Sequence, residues 1–221
     1  MTQLKTSFQQ GIGPVRLGNM NASLDHDLIK LGLIFSVVEE VIQDEIRSWS
    51  KEALEKINPN FNDLPACPFA EGAWADDKVG IAFKRSPSYQ DLTTIVSTWD
   101  DKNDLVILVD LKYTPNREEY YHYIDGLNEA IAEGIFIEKD IWLMAFHPDD
   151  DPEEIVYGHE DLVSVLDTDY AMIFVQRLSK LHEAAEKLKK TGYYTKYQEQ
   201  FGLNDMLKVR ETYYRRLKDE E

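Results

Sequence analysis

Apolar residues recur three and four positions apart between Leu24 and Ile57, at Leu28, Leu31, Ile34, Phe35, Val38, Val41, Ile42 and Ile46, and this spacing predicts one long amphipathic helix. Asn21 or Ser23 offers a side-chain cap for its start. Residues 58–77 then hold Pro59, Pro65, Pro68 and Gly72 among Phe61, Phe69 and Trp74, which predicts an ordered loop that must still pack its rings. KVGIAFK (Lys78 to Lys84), DLVILVDL (Asp104 to Leu111) and IWLMAF (Ile141 to Phe146) read as strands. Between them lie helical spacing from Tyr89 to Trp99 and a helix opened by Pro115 that reaches Glu133. Ala171 to Lys190 returns to a helical period through Ile173, Phe174, Leu178, Leu181, Ala185 and Leu188. Lys187, Lys189 and Lys190 suit the negative end of that helix, and Gly192 stops it. The tail from Tyr193 sets aromatic and aliphatic residues among mixed charges and predicts one or two short helices.

Strands that alternate with helices predict an α/β domain: a small, mostly parallel sheet of about three or more strands with βαβ crossovers, a long N-terminal helix and C-terminal helices. Residues 1–20 have no clear apolar period and read as a loosely ordered arm. Residues 21–190 read as a single domain, and residues 191–221 as a helical extension that packs on the core or on a second copy.

Composition narrows the partners. The 24 Lys and Arg stand against 41 Asp and Glu, and the resulting net charge of −17 opposes nucleic acid and anionic membranes. It suits a small cationic substrate or a basic protein partner, with a homodimer through the C-terminal helices as the self-contact alternative. No 18 apolar residues run together, and the first twenty lack the apolar stretch of a secretory signal. Cys67 is the single cysteine, so no internal disulfide forms and a reducing, cytoplasmic setting is expected.

In an open α/β sheet the ligand crevice lies beyond the carboxyl ends of the strands. Asp110 ends the second predicted strand and His147 follows the third, and adjacent strands would bring them together. Cys67, in the Pro-flanked loop, is the third candidate, and the trio offers a nucleophile, a base and an orienting carboxylate. Each also has a plain structural use: a small buried thiol, an imidazole at a strand end, a carboxylate that binds turn amides. His147 and Asp149, with His159 or His182, have the make-up of a two-His, one-carboxylate site for a divalent metal, iron or zinc. Glu119 and His122 share a helix face but lack the second pair a di-iron site needs. Asp149, Asp150 and Asp151 lack the Gly and the closing Glu of a calcium loop. Nine acids and no Lys or Arg between His147 and Tyr170 predict a solvated acidic loop, suited to act as a lid over a basic or amine-bearing substrate. No Walker loop, G-x-G-x-x-G or G-x-S-x-G occurs.

LPACPFA (Leu64 to Ala70), the strand at Asp104 to Leu111, EEYYHYIDG (Glu118 to Gly126) and AFHP (Ala145 to Pro148) together resemble an uncharacterised bacterial and plastid family of unknown function. The resemblance covers roughly Ile34 to Leu188 and implies that Cys67, Pro68 and Phe69 belong with His147 and Pro148. It implies no reaction. The family's Tyr-Pro-Met-like segment corresponds to Asp169, Tyr170, Ala171 and Met172 here. Its preceding Asn-Arg-Ser-Pro segment is replaced by Leu166, Asp167, Thr168 and Asp169, so a basic side chain is missing. Two functions follow as expectations: a thiol- or metal-dependent enzyme of oxidation or hydrolysis at the sheet edge, or a non-catalytic acidic interaction protein.

Overall fold

Three strands form where their apolar runs predict: β3 (Val79–Lys84), β4 (Leu105–Asp110) and β5 (Trp142–Phe146). The computed structural model describes residues 17–86, 88–112, 116–136, 138–150, 168–195 and 204–219. Ahead of the strands lie α1 (Leu17–Trp49), a π-helical turn (Ser50–Leu54), a short hairpin of β1 (Ile57–Asn58) and β2 (Leu64–Pro65), and α2 (Ala70–Ala75). Helix α3 (Gln90–Ser97) joins β3 to β4, and α4 (Arg117–Ala132) follows β4. The Asn116 carboxamide caps α4 by accepting from the Glu119 amide at 2.9 Å. The chain divides into two compact units, Met1–Asp44 and Glu45–Glu221, and α1 runs from the first into the second.

The expectation of one helix from Ala171 to Lys190 is corrected. Met172–Gln176 is a strand, β6, and only Leu178–Lys189 is helical, forming α5. A continuous run such as MIFVQ has no face preference of its own, and such a run matches a doubly covered strand as well as a buried helical turn. Its place in the sheet decides. The order is β3-β4-β6-β5, with β3 and β4 parallel and β6 antiparallel to both β4 and β5. The four-stranded sheet is therefore mixed rather than mostly parallel, although β3, β4 and β5 run the same way. Gly192, at φ +74°, lies beyond the end of α5, where a left-handed residue closes the last turn. A final helix, α6 (Asn204–Asp219), matches the expected C-terminal helix.

Strand alternation divides the core between two faces. On one face, Leu108, Leu143, Ala145, Ile173 and Val175 pack under Leu92 and Val96 of α3 and Tyr120, Ile124 and Ile131 of α4. On the other, Trp49 meets Phe146 and Phe174 edge-on at 5.7 and 6.3 Å. Strand β5 is an edge, and Asn128 of α4 completes it. The Asn128 carboxamide donates to the Leu143 carbonyl and accepts from the Leu143 amide, both at 2.9 Å, as a neighbouring strand would.

Candidate active site at the carboxyl edge of the sheet

Each of the three co-directional strands ends its helix-facing series in a polar residue. Gly80 and Ala82 lead to Lys84, Val106 and Leu108 to Asp110, and Leu143 and Ala145 to His147. Because side chains alternate with period two, these three lie on the α3/α4 face at one edge of the sheet. All are buried: Lys84 is 1 % exposed, Asp110 3 % and His147 0 %.

Lys84 and Asp110 are register partners at the ends of β3 and β4, and Lys84 Nζ donates to Asp110 Oδ2 at 2.7 Å. The other oxygen, Oδ1, accepts from the Lys112 amide at 3.0 Å, so Asp110 also performs the turn-binding role its position suggests. The Tyr89 ring lies over Lys84, 4.0 Å from Nζ to the centroid. Burial pushes the Tyr89 hydroxyl well above its ordinary range, and the Asp110 charge adds to the shift.

His147 stands apart from this pair. Strand β6 lies between β4 and β5, so two strand spacings, about 10 Å, separate the rows of Asp110 and His147. The expected direct orientation of His147 by Asp110 is thereby corrected: the inserted antiparallel strand keeps them from being neighbours. Asp149 and Asp150 both bond to His147, one at the ring and one at its amide. The Asp149 amide donates to Nδ1 at 3.1 Å, which leaves the proton of a neutral imidazole on Nε2, and the His147 amide donates to Asp150 Oδ2 at 2.9 Å. The Asp149 carboxylate lies farther, at 3.7 Å from Nδ1, and is largely exposed. The Tyr120 ring packs 5.5 Å from that of His147.

Asp150 is buried, which corrects its assignment to a solvated turn. Its carboxylate accepts from Arg117 Nε at 2.9 Å and from the Tyr121 hydroxyl at 2.6 Å as well as from the His147 amide. Burial holds the Tyr121 hydroxyl far above its usual range, and the bond to Asp150 and its charge reinforce the effect. Asp149 is exposed. Asp151 and most of the expected acidic lid, residues 151–167, lie outside the described residues, as do His159 and residues 1–16 of the expected arm.

Cys67 is held within the Pro-rich segment that follows α1. Its amide donates to the Leu54 carbonyl at 2.9 Å and its carbonyl accepts from the Ala70 amide at 3.0 Å. Burial pushes its thiol up, Phe69 and Ala70 amides oppose this, and the Glu55 charge adds to the rise. The thiol form is therefore favoured over the nucleophilic thiolate. His182 lies on α5, stacked against Tyr214 of α6 at 3.8 Å. Among the described residues His182 gathers with Glu186 and Glu211 rather than with His147 and Asp149, and His159, the other expected ligand, lies outside them.

Lys84, Tyr89, Arg117 and Asp150 are the site residues that sequence reasoning did not select. A strand-end lysine ordinarily reaches solvent, and only the even spacing of Gly80, Ala82 and Lys84 hints that this one follows an inward-facing series. No protein-family model, curated protein or solved structure matches the chain.

Proposed function

We propose that this chain is an enzyme of proton transfer on a small carbonyl-bearing substrate, working at the carboxyl edge of its sheet. The observation that carries this reading is the buried Lys84 and Asp110 pair at the ends of two adjacent parallel strands. A buried ion pair is commonly no more stable than two apolar side chains of similar volume, so its presence on an otherwise apolar face favours a chemical role. An ammonium there stabilises charge developing on a carbonyl oxygen, and the neighbouring carboxylate accepts the proton from the adjacent carbon. Tyr89 packs its half-buried ring over Nζ, so in this mechanism the ring must move aside for substrate to reach the pair. His147 supplies a further polar group on the same face. The Cys67 thiol stands outside this mechanism.

The test addresses a class of substrates rather than one compound. The purified chain is incubated in deuterium oxide with a panel of small keto acids and aldehydes, and loss of the proton beside the carbonyl is followed by NMR. Exchange is expected for at least one compound, slowed by about 100-fold in Asp110→Asn and in the double variant Lys84→Met/Asp110→Leu. No exchange in any compound, or undiminished exchange in the folded double variant, overturns the proposal.

A second reading, an acidic interaction protein, is favoured by α1. Leu31, Ile34, Phe35, Val38 and Val41 are exposed by 50, 58, 51, 45 and 51 %, a stripe at helical spacing. Glu39, Glu40 and Asp44 flank it, so its complement is an amphipathic helix with an apolar stripe and a Lys- or Arg-rich rim. Light scattering is expected to find the chain alone monomeric. A dimer abolished by Phe35→Glu would assign the stripe to a second copy instead.

A further inference from the structure

We propose that His182, Glu186 and Glu211 form a binding site for one divalent transition-metal ion, with zinc the ion that best fits the donors. His182 and Glu186 stand one turn apart on α5, so both project from the same face of the helix. Glu211 comes from α6. One ligand atom of each residue lies within 4.8 Å of the others. Donors bound to a tetrahedral zinc at about 2.0–2.2 Å lie about 3.4 Å apart, so closing the set needs side-chain movements of roughly an ångström.

The three donors are already oriented. His182 Nδ1 faces Glu211 Oε2 at 3.3 Å, and the imidazole lies nearly parallel to the Tyr214 ring, at 11° and 3.8 Å. That stack fixes the plane of the imidazole. Arg215 Nε holds Glu211 by its other oxygen, Oε1, at 3.2 Å, and Lys189 holds Glu186 through Oε1. Each cation thus occupies one oxygen of its carboxylate and leaves the second for an ion. The side chains of His182 and Glu211 are 21 and 32 % exposed and that of Glu186 is 47 % exposed, so the cluster opens to solvent on the Glu186 side.

The ligand chemistry selects the ion. One imidazole nitrogen and two carboxylate oxygens match zinc and its transition-metal neighbours. Calcium takes six to eight oxygens and magnesium a near-complete octahedron of them, so neither suits a site with a nitrogen and two protein oxygens. Three protein donors leave a fourth position of a tetrahedral ion for water. Because the donors come from two helices, the bound ion ties α5 to α6. Helix α6 is otherwise fastened to α4, where Glu129 accepts from the Tyr213 hydroxyl at 2.7 Å and from Arg216 at 3.0 Å.

The experiment is calorimetric titration of the full, chelator-stripped chain with zinc, paired with cobalt(II) absorption as a report of coordination. One equivalent of zinc is expected to bind, with a visible cobalt band of tetrahedral intensity and a rise in melting temperature. Glu186→Gln and His182→Ala, verified as folded by circular dichroism, are each expected to weaken binding by about tenfold or more. His122→Ala, exposed on α4, is expected to leave it unchanged. Absence of a one-equivalent site, or affinity unaltered in both Glu186→Gln and His182→Ala, overturns the assignment and leaves the three residues as an ion-paired helix contact.

Discussion

Lys84 tests how far a single residue departs from its neighbours, because it occupies a position that Ala82 and Gly80 fill without charge. Its ammonium is tolerated only because Asp110 lies at 2.7 Å and the Tyr89 ring covers it. Removing one member leaves the other charge buried and unpaired. Lys84→Met is therefore expected to lower unfolding stability by about 3–5 kcal/mol. In the double variant Lys84→Met/Asp110→Leu both charges are gone, and stability is expected to return to the parent value or exceed it by about 1–4 kcal/mol. Urea unfolding of the parent, the single variants and the double variant completes the cycle. Additive losses in the double variant would mean that the pair is not the unit of interaction. The same residues carry the proposed chemistry, so recovered stability together with lost exchange separates function from folding.

At the scale of elements, the Pro-rich segment after α1 is organised by polar bonds rather than by long strands. Glu55 accepts from Arg47, at 3.1 Å from Nη2 to Oε2, and from the Ser50 hydroxyl at 2.8 Å, and Ser50 in turn accepts from Trp74 Nε1 at 2.9 Å. The π-helical turn at the end of α1 is thereby joined to α2. Burial alone would raise the Glu55 carboxyl, yet the bonds from Arg47 and Ser50 outweigh it and hold the group below its ordinary value of 4.5. A carboxyl with a depressed folded pKa stabilises the fold above its unfolded value, and that contribution disappears as pH falls through the folded one. Glu55→Gln is accordingly expected to be less stable than the parent at pH 7 by about 1 kcal/mol, with the gap closing below about pH 4.5. Thermal unfolding across that range checks it, and a gap independent of pH would remove Glu55 ionisation from the account.

Across the whole molecule, charge and apolar exposure pull in different directions. A net charge of −17 repels a second copy, while the stripe from Leu31 to Val41 invites a partner. The expected outcome is a monomer in low salt that captures a basic amphipathic peptide, with binding weakened as salt rises. Light scattering and peptide titration at two ionic strengths check this; salt-independent self-association would reverse it. No helix among the described residues is long and apolar enough to cross a membrane.

Local pattern was sufficient for the α/β class, for the existence of the long first helix, for three of the four strands of the main sheet and for the stop at Gly192, because spacing reports which face of an element is buried; the helix itself runs Leu17–Trp49, so Asn21 and Ser23 lie inside it and Ile57 falls in β1. It also brought attention to Asp110 and His147, since a polar residue that closes an apolar run marks a strand end. Only the tertiary structure decided what those ends meet. The insertion of Met172–Gln176 between β4 and β5 made the sheet mixed and parted Asp110 from His147. Pairing β3 with β4 gave Asp110 to Lys84 instead, and the turn after β5 buried Asp150 beside Arg117 and Tyr121. His182 and Glu211, 29 positions apart, met through the packing of α5 on α6. Periodicity is a property of neighbours along the chain, whereas strand order, charge pairing and ligand clusters depend on contacts between distant segments, and those are decided by the competition of whole faces for burial.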